Sequence, residues 1–279
     1  YIYGTNSVIA ALNSDRREYF TRILYYNTLP PILHSLAKKH GLKLEEVDKH
    51  RLNLITDYGV HNNIVLETKP LQPSEITSLN MCDPETGIFH YSELDFDQNV
   101  TKTMKYLSNE KKKFPLGIYL DEVVDPHNIG AITRSAYFLG ADFMVMSRKN
   151  CAPLSPVVSK TSSGAMELMP IFTTDKPLNF FTKSQEEGGW TFVTSSLTSK
   201  NSKHGNNKVL ELKDLNGMVN ELPVILVVGN EGNGVRTNLQ MRSDFFVEIP
   251  FGRSAEESGV VDSLNVSVAT ALLLNSLLN

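Results

Sequence analysis

The second half of the chain is marked by short apolar runs at Leu116–Leu120, 143–146, 190–194, Val224–Val228 and 245–249. Each has the length of a strand buried on both faces, far short of the ~18 residues needed to span a bilayer. Between them, apolar residues recur at helical spacing over 129–139, around 157–167, and over 176–187 and 235–241. Such alternation predicts an α/β unit built on a parallel sheet with helices on both faces. The polar stretch 197–208 reads as a surface loop. A last helix is predicted over 263–278, with Leu264, Val268, Ala271 and Leu272 as its apolar face and Asp262 or Ser263 as its cap.

The first 70 residues alternate more finely. A small helix is predicted at 8–12, strands at 22–26, 43–47 and 64–67, and a helix over 31–39 that starts at proline and ends at Gly41. This module carries Arg16, Arg17, Arg22, Lys38, Lys39, Lys43, Lys49 and Arg51, either a solvated surface or a phosphate-facing patch. From Lys69 to Phe114 the pattern fades among Pro70, Pro73 and Pro84. This stretch reads as a linker or surface insertion with one helix near 100–107, and Lys111, Lys112 and Lys113 as a solvated run or an RNA contact.

Bulk properties narrow the picture only slightly. The chain's 279 residues suggest two domains or one large one, and with 41% of them hydrophobic it can bury a proper core. A net charge of −4 requires any nucleic-acid contact to be a local patch. Cys82 and Cys151 cannot make a disulfide framework or a zinc site by themselves and read as reduced thiols. The chain opens on Tyr1 rather than Met, so any targeting peptide is expected to lie outside it.

Three stretches carry candidate chemistry. In the first, Pro126 should break the strand at Leu116–Leu120 and Asn128 should cap the following helix. Ile129, Ile132, Ala136 and Leu139 then face a core, leaving Arg134 off the stripe at the ligand-binding end of the strand. The second runs Val228-Gly229-Asn230-Glu231-Gly232-Asn233-Gly234, a strand entering a glycine turn. Its G-x-x-G-x-G spacing fits neither a dinucleotide fingerprint nor a P-loop. A tight turn without ligand would explain the glycines. Glu231 would repel phosphate and suits a neutral or cationic ligand, an arginine partner such as Arg134, or plain solvent. The third stretch joins Ile249-Pro250 to Ser263-Leu264-Asn265-Val266-Ser267, with Asn265 expected in the first helical turn, where its amide can reach a neighbour or a substrate.

In this order and spacing, the three stretches resemble the motifs of the SpoU/TrmH family of RNA ribose 2′-O-methyltransferases, in the SPOUT superfamily. Gly4-x-x-x-Val8-x-x-Ala11-Leu12 and the strand after His61 resemble the ribosomal-protein-L30e-like RNA-binding domain of one branch. The nearest likeness is to the fungal mitochondrial members that methylate guanosine in large-subunit rRNA. The resemblance implies a C-terminal SPOUT domain (115–279) with a parallel sheet and a trefoil knot. A small L30e-like α/β domain (1–70) would precede it, with 71–114 as linker or insertion. It further implies a mitochondrial homodimer that uses S-adenosyl-L-methionine and acts on large-subunit rRNA or an assembling ribosomal particle, with no membrane partner. Thr194, Gly229, Ile249 and Leu264 would bind the methyl donor. Asn128, Arg134, Glu231, Ser263 and Asn265 would carry the chemical step. Two features depart from the family pattern. The stretch from Gly252 to Asp262 is long and holds Glu256 and Glu257, and Asn63 stands where glycine is usual.

A Rossmann dehydrogenase is the enzymatic alternative, with Glu248 as its ribose-binding acid, but its glycine spacing does not match. An rRNA-binding assembly factor in which methylation is dispensable is the non-enzymatic alternative.

Overall fold

The structure, a computed structural model, describes residues 1–110, 112–196, 209–230, 232–252 and 263–279. They form two compact units. One comprises Tyr1–Pro73, Asp125–Tyr137 and Ala152–Pro170, the other Ser74–Val124, Phe138–Cys151 and Ile171–Asn279.

The first unit opens with β1 (Ile2–Tyr3), α1 (Thr5–Ser14), β2 (Phe20–Tyr25), α2 (Pro31–His40), β3 (Lys43–Glu46), α3 (Lys49–Ile55) and β4 (Ile64–Thr68). The strands form a mixed sheet in the order β1-β4-β2-β3. Its core gathers Val8, Leu12, Ile23, Leu33 and Leu66. Gly41 closes α2 at φ 64, the left-handed geometry glycine adopts without strain. Asn62 and Asn63 take the same region at φ 50 and 61, so asparagine serves in place of the expected glycine. His61 shapes this turn. Its Nδ1 accepts from the Asn63 amide at 2.9 Å, so the ring is the neutral tautomer that donates from Nε2 to Asn53 Oδ1 at 2.8 Å. Burial, then Lys49 and Lys160, hold its pKa below the usual histidine value.

Most of α4 (Pro126–Leu139), with α5 (Pro156–Thr161) and α6 (Ala165–Leu168), belongs to the same unit. Helix α4 begins at Pro126 rather than after Asn128, and buries Ile129, Ile132 and Ala136 as the stripe predicts. A side chain at Gly130 would meet Thr161 Oγ1 at 1.8 Å, which explains the motif glycine by close packing of α4 on α5. The single helix expected near 157–167 is divided where Ser163 and Gly164 turn left-handed at φ 54 and 88.

The arginines of this module are engaged by partners within it, although only Arg17 among them is buried. Arg17 is buried against Glu167 in a two-point ion pair at 2.6 and 3.0 Å. Arg16 donates to the Met169 carbonyl at 2.6 Å. Arg22 is paired with Glu45 and Glu67, and Arg51 with Glu45. Lys38, Lys39, Lys43 and Lys49 stay exposed.

The second unit is one large sheet with β5 (Ser74–Asp83), β6 (Ile88–Asp95), β7 (Gln98–Lys105), β8 (Leu116–Leu120), β9 (Phe143–Ser147), β10 (Ile171–Thr174), β11 (Thr191–Ser195), β12 (Val209–Leu210), β13 (Val224–Val228) and β14 (Phe245–Val247). Their order is β12-β14-β11-β13-β8-β9-β10-β5-β6-β7. Every pairing from β12 across to β5 is parallel, and β5–β7 close the edge as an antiparallel meander. Helices α7 (Pro177–Gly188), α8 (Thr237–Gln240) and α9 (Val266–Leu278) complete it.

The linker reading of 71–114 is therefore corrected, and the helix near 100–107 is strand β7. Phe89, Tyr91 and Tyr106 enter one aromatic core with Phe143, Phe172 and Trp190. The Trp190 indole donates to the Asn80 carbonyl at 2.9 Å, and Ser184 of α7 accepts from the Leu79 amide at 2.9 Å. Lys112 is buried too, with its ammonium 2.7 Å from both Asp142 oxygens, so it is neither solvated nor available to RNA. Lys111 and the 197–208 loop lie outside the described residues. Burial pushes the Cys82 thiol up to about 12 and Cys151 to about 11, consistent with inert reduced cysteines. No described helix is long and apolar enough to cross a membrane.

The Arg17–Glu167 pair yields a stability prediction. Glu167→Ala leaves a buried guanidinium unpaired and should cost about 3–5 kcal/mol. Urea unfolding checks it, and an unchanged midpoint would show the pair to be dispensable.

Candidate active site

Parallel strands in register bring their carboxyl ends to one edge of the sheet, where loops can converge on a ligand. Thr194, Gly229 and Ile249 lie at that edge on three neighbouring strands. Thr194 is near the end of β11, paired with Val227 of β13 on one side and Phe246 of β14 on the other. Gly229 follows β13 directly, and Ile249 lies two residues beyond β14. The structure thus brings together three residues separated by up to 55 positions in the chain.

Gly229 has no room for a side chain. A Cβ there would stand 2.3 Å from the Gly234 carbonyl carbon and the Val235 nitrogen. The turn folds back that closely because Asn230 and Gly234 exchange backbone hydrogen bonds of 3.1 and 2.9 Å. Asn230 Oδ1 also accepts from the Gly232 amide at 2.8 Å, and its Nδ2 donates to the Glu122 carbonyl at 3.1 Å. Gly234 supplies the left-handed residue at φ 67. Self-closure of the turn accounts for Gly229 and Gly234 before any ligand is invoked. Glu231, the acid expected to act there, lies outside the described residues.

Two residues that sequence reasoning missed anchor this turn. Asp121, fully buried one position after β8, takes the Arg236 amide on Oδ2 at 2.9 Å. The Arg236 guanidinium donates to Oδ1 from Nε at 2.9 Å and from Nη2 at 2.5 Å. An acid directly after an apolar strand and an arginine directly after the glycine turn were the available signals. Only their pairing was invisible.

Thr194 contributes little side-chain chemistry. It is buried, and its hydroxyl shares a 2.5 Å hydrogen bond with Ser243. Ile249 is half-buried, while Leu264 is 48% exposed. Gly229, Ile249 and Leu264 offer main-chain and apolar surface without a cation among them, which fits a positively charged, partly apolar ligand. No described group of His, Cys, Asp and Glu is arranged to hold a metal.

Asn265 is not within the first turn of α9, and Ser263 is not its cap. Asn265 is itself the cap, its Oδ1 accepting from the Ser267 amide at 2.9 Å and the Ser267 hydroxyl at 2.6 Å. Asp262, Glu256 and Glu257 lie outside the described residues, while Ser263 is exposed. The apolar face predicted for α9 is also the wrong one. Val266, Thr270, Leu273, Leu274 and Leu277 are buried, whereas Leu264, Val268 and Leu272 form a stripe 44–48% exposed. Asn128 and Arg134 sit on α4 in the other unit, the first half-buried and the second exposed, with no carboxylate partner for Arg134 among the described residues.

The cap separates two roles of Asn265. Asn265→Ala should lose about 1 kcal/mol of stability. Asn265→Asp should keep the cap and its stability but lose the amide donor. Denaturation and methyl-transfer assays on both variants check this, and full transfer by Asn265→Asp would make Asn265 a cap alone.

Comparison with known proteins agrees with this geometry. Residues 115–275 match the SpoU rRNA Methylase family, and residues 1–74 match the RNA 2′-O ribose methyltransferase substrate binding family. The Saccharomyces cerevisiae protein named rRNA methyltransferase 1, mitochondrial is 60% identical over all of this chain and 69% of its own length. A Pseudomonas putida 23S rRNA (guanosine-2′-O-)-methyltransferase, RlmB, is 27% identical over 98% of this chain and 93% of its own length. The fold is shared with an AdoMet-bound rRNA methyltransferase from Sinorhizobium meliloti, at TM-score 0.65 and 21% identity over 99% of this chain and 85% of that one. A sheet edge with a self-closed glycine turn, the three motifs in order and these matches over nearly the whole chain place the protein in the SpoU rRNA methylase family.

Proposed function

We propose that the chain transfers a methyl group from S-adenosylmethionine to a ribose 2′-hydroxyl of mitochondrial large-subunit rRNA, on a guanosine of the peptidyl-transferase region. Membership of the SpoU family makes it an S-adenosylmethionine-dependent RNA 2′-O-methyltransferase. The names of the yeast and Pseudomonas relatives support the mitochondrial rRNA and guanosine assignments. The observation that carries the reading is the convergence of Thr194, Gly229 and Ile249 at the carboxyl ends of adjacent parallel strands.

Gly229, Ile249 and Leu264 would hold the donor, with Thr194 contributing main chain because its hydroxyl is engaged by Ser243. When bound, S-adenosylmethionine supplies a sulfonium-activated methyl and leaves as a neutral thioether. The protein's task is then to align one ribose hydroxyl and remove its proton. Arg134 cannot take that proton, since a guanidinium stays charged and has no acceptor lone pair. Its exposed, planar fork is suited to clamping the phosphate beside the target ribose and stabilising charge that develops on the hydroxyl oxygen. A phosphate oxygen or water accepts the proton. Asn128, Glu231, Ser263 and Asn265 complete the proposed set.

The exposed Leu264–Val268–Leu272 stripe supports a homodimer, because a second copy would cover it. A trefoil knot in the C-terminal segment belongs to the same proposal. It is supported by β14 adding outside β11 and by α9 returning to pack against β13. The first unit supports RNA binding, chiefly through exposed Lys38, Lys39, Lys43 and Lys49.

The test is transfer of a labelled methyl group to large-subunit rRNA, mapped as a bond resistant to alkaline cleavage. Arg134→Ala should lower turnover by about 100-fold, and Arg134→Lys should recover only part of it. Near-normal turnover by Arg134→Lys would rule out a two-pronged clamp. Methylation on a base instead of the ribose would overturn the assignment.

A further inference from the structure

The meander β5–β7 lies mostly between the two family matches, which end at residue 74 and resume at 115. Yet it closes the sheet and builds one wall of a cavity of about 190 Å³, whose opposite wall is α7. Glu75 pairs with Thr173 near the end of β10, and β5 then continues past it. The cavity therefore lies at the carboxyl edge of the sheet, the edge that carries the glycine turn. Strand order β13-β8-β9-β10 puts it three strand spacings along that edge, about 14 Å.

Its chemistry is that of an anion site. Lys176 and Lys183 line it, and neither has a carboxylate within 4 Å among the described residues. Glu75, the one acid in the lining, is neutralised by an ion pair with Arg148 outside the cavity. Asn179 and Lys183 lie on α7 four residues apart, so they share a helix face, and Lys176 is the residue that immediately precedes the helix. From the opposite wall, the Thr77 hydroxyl donates to Asn99 Oδ1 at 3.0 Å, which leaves the Asn99 amide hydrogens for a ligand. Two uncompensated ammonium groups and two side-chain amides thus face one open, phosphate-sized space.

We propose that this cavity binds a backbone phosphate of the substrate RNA, so that the RNA is held on the methyltransferase unit as well as on the N-terminal module. The proposal rests on the RNA methyltransferase reading above. It assigns the meander a function as the wall that turns Lys176 and Lys183 into a site. The open mouth and the shared edge favour a phosphate of the bound RNA over a free anion.

The experiment measures binding of a large-subunit rRNA transcript against salt, with steady-state methyl transfer on the same preparations. It compares wild type, the double variant Lys176→Gln/Lys183→Gln, and Lys149→Gln as a control whose lysine is already paired with Asp175. Loss of the single-strand phosphate contact that the two lysines share should make the slope of log K against log salt shallower by about 0.7. RNA KM should rise while kcat at saturating RNA and S-adenosylmethionine affinity stay unchanged, and the control should behave as wild type. An active wild type whose KM and salt slope the double variant leaves unaltered would overturn the cavity and spare the enzyme reading. Inorganic phosphate binding that both lysines support without any effect on RNA would also overturn it, marking a free-anion site. A wild type that neither binds RNA nor transfers methyl would overturn both.

Discussion

A carboxylate with no solvent exposure is tolerable only when it is paired, and Asp121 is paired with Arg236 from the far side of the glycine turn. The interaction spans 115 positions of sequence and joins the end of β8 to the start of α8. Asn230, bonded to the Glu122 carbonyl, repeats the tie one step away. Between these two anchors the turn cannot drift from the sheet edge. The placement of Gly229 beside Thr194 and Ile249 depends on that.

The turn itself illustrates how one set of residues serves fold and function together. Gly229 lacks a side chain because the chain returns within 2.3 Å of where a Cβ would be. The same absence leaves its backbone open to a ligand. Asn265 has a comparable double position: it caps α9, and it begins the helix that the third motif introduces. Neither residue can be assigned wholly to architecture or wholly to chemistry, so the informative substitutions preserve one role while removing the other.

Much of the parallel sheet was legible because its strands are continuous apolar runs, and Leu116–Leu120 and Val224–Val228 were read to the residue. What failed depended on partners distant in sequence. Strand β5 alternates weakly among prolines and polar residues, and its burial comes from α7 and Trp190, about a hundred positions away. The arginines of the first unit could be read only as a solvated surface or a phosphate-facing patch, because Glu167, the buried partner of Arg17, is 150 residues away. The buried face of α9 was misjudged because its few polar residues, Ser267, Thr270, Asn275 and Ser276, are spread around the helix and mark no single polar side. Its true inner face even includes Thr270, whose hydroxyl is satisfied by the Val266 carbonyl. Among the site residues, Gly229, Ile249 and Thr194 were named from motif resemblance and are brought to one edge. The Asp121–Arg236 pair escaped notice because neither residue is unusual alone.

The account turns on the glycine turn being the cofactor site. The most direct measurement is calorimetric titration of S-adenosylmethionine into wild type and Gly229→Ala, with circular dichroism confirming that both are folded. The account predicts binding by wild type and a loss of at least about tenfold in affinity, roughly 1.4 kcal/mol, in the variant, because the added methyl must displace the backbone at Gly234 and Val235. Equal affinity in a folded Gly229→Ala would contradict it and move the donor site elsewhere on the molecule.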